Sequence, residues 1–203
     1  MEQRKENKLN LEEIEANKQE FISSFNSCTA NRQGADSLLQ FLINSDFFNA
    51  PASTRFHGSE DGYLCRHSLS VAKNLVIILD QFDPNKLIDR DSAKFCALVH
   101  DICKANFYKK DFKNVKDDNG KWTKQEVFII RDDEVLPLGH GEKSVAIAQT
   151  FMKLREAELL AIRFHMGAWD IKPGDQSIGK AQKRSKLVVY LQCADMIAAN
   201  NED

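Results

Sequence analysis

The sequence predicts an all-α helical bundle interrupted by one small β-hairpin, and three observations carry this reading. Apolar residues recur at three- and four-residue steps over most of the chain. Glycine, proline and acidic turn residues, not strand-length apolar runs, separate the periodic segments. A single stretch, about 108–137, breaks the rhythm with strand-like composition on either side of Asn119-Gly120. The chain has 203 residues, 42% apolar and 29% charged, enough for one sizeable core and unlike the composition of a disordered segment.

The elements follow in order. Residues 11–25 place Leu11, Ile14, Phe21, Ile22 and Phe25 on one stripe of a helix. Gly34 precedes a second helix carrying Leu38, Leu39, Leu42 and Ile43. A loop holds Phe47 to Gly62, and a third helix, about 63–82, turns Leu64, Val71, Leu75, Ile78 and Phe82 inward. Asp83-Pro84 ends it, because the residue before proline avoids the helical region. A fourth helix is expected over about 85–104, with Leu87, Phe95, Leu98, Val99 and Ile102 buried. Strands are expected at Phe112 to Val115 and Trp122 to Ile130, joined by a turn in which Asn-Gly supplies positive φ. Helices resume at Gly141 to Leu154, Glu156 to Phe164 and roughly Lys183 to Asn200.

Composition excludes several classes. Lys plus Arg number 28 and Asp plus Glu 30, a net charge of −2, so the chain is no bulk polyanion binder and no stable nucleic-acid partner is expected. No apolar run approaches the ~20 residues that span a bilayer. The first twenty residues contain no secretory signal, and five cysteines without a CxxC pair read as reduced thiols, so a cytoplasmic location is expected.

Five histidines carry the chemistry. His67 shares a helix face with Leu64 and Val71, and His100-Asp101 closes the apolar run Phe95 to Val99. His140 opens a helix after Gly139, His165 closes one before Gly167, and Asp195 lies on the inward stripe of the last helix with Leu191 and Ala198. A lone core histidine or aspartate is ordinarily hydrogen-bonded scaffolding. Four imidazoles and two carboxylates directed into one small core form a polar load that divalent cations stabilise, through neutral imidazole nitrogen and carboxylate oxygen. No cysteine stands at ligand spacing, which disfavours a structural zinc–thiolate site.

The ordered segments Gly62-Tyr63-Leu64-Cys65-Arg66-His67, Ala97-Leu98-Val99-His100-Asp101-Ile102-Cys103-Lys104 and Ala194-Asp195-Met196 resemble the HD-domain metal-dependent phosphohydrolase superfamily. Gly139-His140-Gly141-Glu142-Lys143-Ser144 and Arg163-Phe164-His165-Met166-Gly167 are similar to the extra histidine segments of its two-metal branches, and His57 is placed like a histidine of the exoribonuclease-like branch. Cys103 replaces the usual glycine of the HD segment.

The resemblance implies an HD-type helical bundle over about 50–203, with residues 1–49 as helices packed against it and the hairpin inserted at about 108–137. It implies two divalent transition-metal ions (Mn, Fe, Ni or similar, with Mg as a further candidate). His67, His100, Asp101 and Asp195 would hold one, and Asp101 would bridge to a second held by His140 and His165. Two such ions, about 3.5–4 Å apart, activate a bridging hydroxide for attack on phosphorus. Asp101 and Lys104 would be catalytic, Lys104 by neutralising transition-state charge. His57, Lys104, Arg163 and Trp169 would contact substrate, Trp169 by stacking on a base.

The expected function is hydrolysis of a phosphate ester, on a nucleotide or short phosphodiester, with homo-oligomerisation left open. The alternatives are an HD-type diiron oxygenase, separable by metal identity and oxygen uptake, and a non-catalytic nucleotide sensor, against which the complete ligand set speaks.

Overall fold

The computed structural model describes residues 8–54, 58–116, 120–133 and 136–201. Among them are eight α-helices and one two-stranded antiparallel sheet. Helix α1 (Leu11–Cys28) starts at Asn10, whose side chain accepts from the Glu13 N–H while the Glu13 carboxylate accepts from the Asn10 N–H. Its inward stripe buries Phe21 and Phe25, and Phe21 meets Phe47 and Phe48 edge-on at 5.1 and 5.4 Å between ring centroids. Leu11, expected on that stripe, is exposed. Helix α2 (Ala35–Asn44) begins after Gly34 at φ 86° and buries Leu38, Leu39 and Leu42.

Between these helices Arg32 reaches across the molecule. Its two terminal nitrogens donate to both oxygens of the fully buried Glu158 at 2.8 Å, and Glu158 also accepts from Ser92 Oγ and the Arg155 N–H. A carboxylate out of water is tolerated only when its lone pairs are filled in this way. The first two helices therefore share one apolar core with the rest of the chain, running from Phe21 to Ala198.

Helix α3 (Tyr63–Phe82) is the spine, packed against α4 (Arg90–Val99) and α8 (Lys186–Asn201). Its bounds match the expectation, but Phe82 at its end is exposed. Helix α4 is shorter than expected. The Asp83 carboxylate accepts from the N–H groups of Leu87 and Ile88, and Asp89 caps the helix by accepting from the Ser92 N–H. These side chains hold 84–88 as a loop and leave Leu87 83% exposed. After Val99 the chain makes a 3₁₀ turn at Ile102–Lys104 instead of continuing as α-helix.

The hairpin pairs β1 (Tyr108–Lys116) with β2 (Trp122–Ile130), from Tyr108 opposite Ile130 to Lys116 opposite Trp122. The first strand begins earlier than its composition suggests, because only Tyr108 is buried and its lysines carry no apolar alternation. Gly120 has φ 75°, whereas Asn119 lies outside the described residues. Helices α5 (His140–Phe151) and α6 (Glu156–Phe164) follow. The last expected helix starts at Lys186, as α8, and a further helix, α7 (Ser177–Arg184), precedes it across Ser185 where none was expected. Among the described residues no helix is long and apolar enough to cross a membrane, and all five cysteines are free.

Candidate metal centre

Helix termini carry the histidines inward. His100 and His165 each follow the last residue of a helix, α4 and α6, where carbonyls lack helical partners. In both, the ring turns back so that Nδ1 lies 2.8 Å from the carbonyl three residues earlier, Ala97 for His100 and Ile162 for His165. A carbonyl only accepts, so Nδ1 carries the proton and donates. The neutral ring then presents Nε2 as a bare lone pair, the tautomer a metal ligand needs.

His67 comes from the buried face of α3, Asp195 from α8, and His140 from the first turn of α5. Gly141 lets the start of α5 meet the end of α6, since a Cβ there would run into the Arg163 carbonyl. That close approach brings His140 toward His165. Gly167, at φ 60°, turns the chain after His165 against the Gln192 amide of α8.

The cluster is compact. His67 Nε2 lies 3.0 Å from Asp195 Oδ1, and His100 Nε2 lies 3.5 Å from Asp101 Oδ2 and 3.8 Å from Asp195 Oδ1. His165 Nε2 lies 3.5 Å from Asp101 Oδ1, and the His100 ring is 5.3 and 4.9 Å from those of His67 and His165. Donor atoms fall within 4.8 Å of one another in three sets: His67, His100 and Asp101; His100, His165 and Asp195; Asp101, Cys103 and His140. All six residues expected as ligands belong to these sets, which overlap at His100 and Asp101.

The protein's own hydrogen bonds leave this cluster incomplete. His100 Nε2, His165 Nε2 and Asp101 Oδ1 are buried without a hydrogen-bond partner. Each such atom costs about 1–3 kcal/mol. While both rings are neutral, two lone-pair nitrogens and a carboxylate oxygen have no donor among them, and a divalent cation satisfies all three. The residues present therefore fit the metal that the sequence implies.

Charge is poised to match. Burial works against the ionised Asp101, yet Lys104, His100 and His165 more than offset it and hold the carboxyl well below the usual range. Asp195, half-buried, is likewise lowered, chiefly by its hydrogen bond from His67. Burial lowers the His140 pKa, whereas for His165 burial is outweighed by Asp101 and the value rises.

A cavity of about 520 Å³ opens over the cluster, lined by His67, Asp101, His140, His165 and Asp195 at its floor. Lys104 also lines it, its Nζ 2.6 Å from Asp101 Oδ2 and donating to the Ala52 carbonyl at 2.7 Å. Met166, Trp169, Phe107, Tyr108 and Ile130 supply apolar walls, with Trp169 90% exposed at the rim.

Arg163 does not line this cavity. It pairs with Glu142 at 2.6 Å and Asp170 at 3.4 Å, tying α5 to the turn after α6. His57 lies outside the described residues. Sequence reasoning missed Cys103, whose Sγ sits 3.6 Å from His140 Nδ1 while its own N–H donates to Ser144 Oγ. Its place two residues after Asp101, on a turn that packs against α5, was the available signal. Burial and the nearby Asp101 charge push its thiol up to about 12, so it is a neutral neighbour of His140 in the metal-free chain.

These features define a helical scaffold that gathers four imidazoles and two carboxylates, candidate metal ligands, beneath an open cavity. A family model described as the HD domain matches residues 64–200, and the chain belongs to this family of mostly metal-dependent phosphohydrolases. No curated protein and no solved structure matches the chain.

Proposed function

We propose that the protein hydrolyses a phosphate ester of a nucleotide or short phosphodiester with the help of two divalent metal ions. The observation that carries this reading is the set of three buried, unpartnered donor atoms, His100 Nε2, His165 Nε2 and Asp101 Oδ1, under a cavity that admits solvent. His67, His100, Asp101 and Asp195 would hold one ion, and Asp101 with His140 and His165 the other. The histidine-rich set suits Mn, Fe or Ni better than Mg. When bound, such ions polarise a phosphoryl oxygen and make water a nucleophile near neutral pH.

The remaining work falls to this chain's own side chains. Lys104 directs its ammonium into the cavity beside Asp101, where it neutralises charge building on phosphoryl oxygens. That fixed cation favours an anionic substrate over dioxygen, and so phosphoester hydrolysis over the oxygenase alternative. Trp169 and Met166 present apolar surfaces at the mouth, suited to the flat face of a base. The free cysteines support a reducing, cytoplasmic setting.

The test is hydrolysis of p-nitrophenyl phosphate and bis-p-nitrophenyl phosphate by chelator-treated protein resupplied with Mn, Fe, Ni or Mg. Turnover that depends on added metal and is abolished in Asp101→Asn supports the reading. Phosphate esters left intact, with oxygen consumed by the iron-loaded protein, would replace it with the oxygenase.

A further inference from the structure

The hairpin is unusual in its surface. Directly paired residues share a face in an antiparallel ladder. One face therefore carries, in paired order, Tyr108 with Ile130, Lys110 with Phe128, Phe112 with Glu126, Asn114 with Lys124, and Lys116 with Trp122. The other carries Lys109, Asp111, Lys113 and Val115 with Ile129, Val127, Gln125 and Thr123. All four aromatic residues of the two strands fall on the first face.

At its inner end, Tyr108 and Ile130 line the cavity over the metal centre. At its outer end, Phe112 and Trp122 are 65% and 64% exposed. Lysines stand between the rings: Lys110 Nζ is 5.4 Å from the Phe128 centroid, and Lys116 Nζ is 5.2 Å from that of Trp122. Among the described residues the acids beside them are Glu126 on the same face and Glu60 and Asp61 on the adjoining loop, Glu126 and Asp61 paired with Lys110 and Glu60 with Lys8. Lys116 and Lys124 lie further out. From Tyr108 to Lys116 the face runs about 27 Å at ~3.4 Å per residue.

The geometry points to this face as a track for a single-stranded oligonucleotide whose end enters the cavity, an inference that rests on the phosphoester-hydrolase reading. Two exposed rings, Phe112 and Trp122, with Lys116 and Lys124 beside them at the outer end match what such a strand offers, flat bases and an anionic backbone, and half-buried Phe128 and buried Tyr108 lead inward from them. A peptide partner would match the rings but not the spaced cations, and the continuity of the face with a cavity suited to phosphoryl chemistry selects the nucleic acid. The strand is held as a passing substrate, in keeping with the chain's nearly neutral overall charge.

The experiment uses the full chain, chelator-treated so that nothing is cleaved, with a fluorescein-labelled oligouridylate 12-mer and a labelled uridine dinucleotide read by anisotropy. The 12-mer is expected to bind at least about 10-fold tighter than the dinucleotide. Phe112→Ala/Trp122→Ala is expected to weaken the 12-mer by about 10-fold or more and leave the dinucleotide unchanged. Lys116→Gln/Lys124→Gln, which keeps the rings, should make the slope of log K against log salt shallower by about 1.4, at ~0.7 for each phosphate no longer neutralised.

Equal binding of both probes, or of the 12-mer to all variants, overturns the track. So does a dimer in sedimentation that Phe112→Ala/Trp122→Ala converts to monomer, which would make the face a contact between copies. Hydrolysis of bis-p-nitrophenyl phosphate by the metal-loaded chain separates the two readings. Turnover without 12-mer binding removes only the track, and 12-mer binding without turnover removes the hydrolase reading.

Discussion

Replacing Asp101 by asparagine in the metal-free protein keeps the shape of the side chain and removes its charge. The Asp101 side chain is only 4% exposed and lies 2.6 Å from Lys104 Nζ, itself 16% exposed. Losing one partner of a buried pair costs about 3–5 kcal/mol, because the other charge remains out of water. Lys104 keeps the Ala52 carbonyl and some solvent, which places the cost near ~3 kcal/mol. At ~2–4 °C per kcal/mol for a chain of this size, Tm should fall by about 6–12 °C.

Adding Lys104→Met removes the stranded cation and should restore most of the loss. The assay is thermal unfolding followed by circular dichroism in excess chelator. Saturating metal at about 100 times its Kd should stabilise the wild type by ~2.7 kcal/mol and Asp101→Asn not at all. An Asp101→Asn melt within about 2 °C of wild type in chelator, or no recovery on adding Lys104→Met, would show that the Asp101–Lys104 pair does not stabilise the fold.

Four further outcomes are expected. Because the folded Asp101 pKa lies below its unfolded value of about 3.9, its stabilisation is complete above that pH and lost as pH falls through the folded value. The gap between wild type and Asp101→Asn in chelator should therefore be flat above about pH 5 and close in stronger acid. The raised His165 pKa means protons compete with metal even above the ordinary imidazole value of about 6.5, so affinity, read by calorimetry, should rise with pH through neutrality and binding should release protons. Gly141→Ala should both lower Tm and weaken metal binding at least about 10-fold, because its Cβ meets the Arg163 carbonyl and parts α5 from α6. Glu158→Gln should cost about 3–5 kcal/mol in a urea titration without altering metal affinity in the folded protein, because the Arg32 pair it breaks lies away from the centre.

Periodicity made most of the helices legible and put His67 and Asp195 on inward stripes, whereas His140 and His165 were singled out as ligands by the resemblance of their segments. His67 falls on the Leu64–Val71 face, and α3 and α6 begin and end where their turn residues place them. The misplaced boundaries have local causes that a pattern of apolar steps does not register. Asp83 and Asp89 use their carboxylates to hold 84–88 out of a helix whose apolar spacing continues through Leu87.

Other features depended on partners remote in sequence. Arg163 sits beside a ligand position in the chain but turns to Glu142 and Asp170. Cys103, a small apolar residue by composition, meets His140 across 37 positions. The shared aromatic face of the hairpin emerged only once the pairing register was fixed, since no single strand reveals which of its residues will stand beside those of the other.

The proposed activity requires the histidine–aspartate cluster to hold metal. Native mass spectrometry of chelator-stripped chain titrated with Mn or Co reads this directly. Uptake should saturate at about two ions per chain, and Asp101→Asn should take up none under the same conditions. A wild-type chain that stays metal-free throughout the titration, or one that matches Asp101→Asn ion for ion, would contradict it.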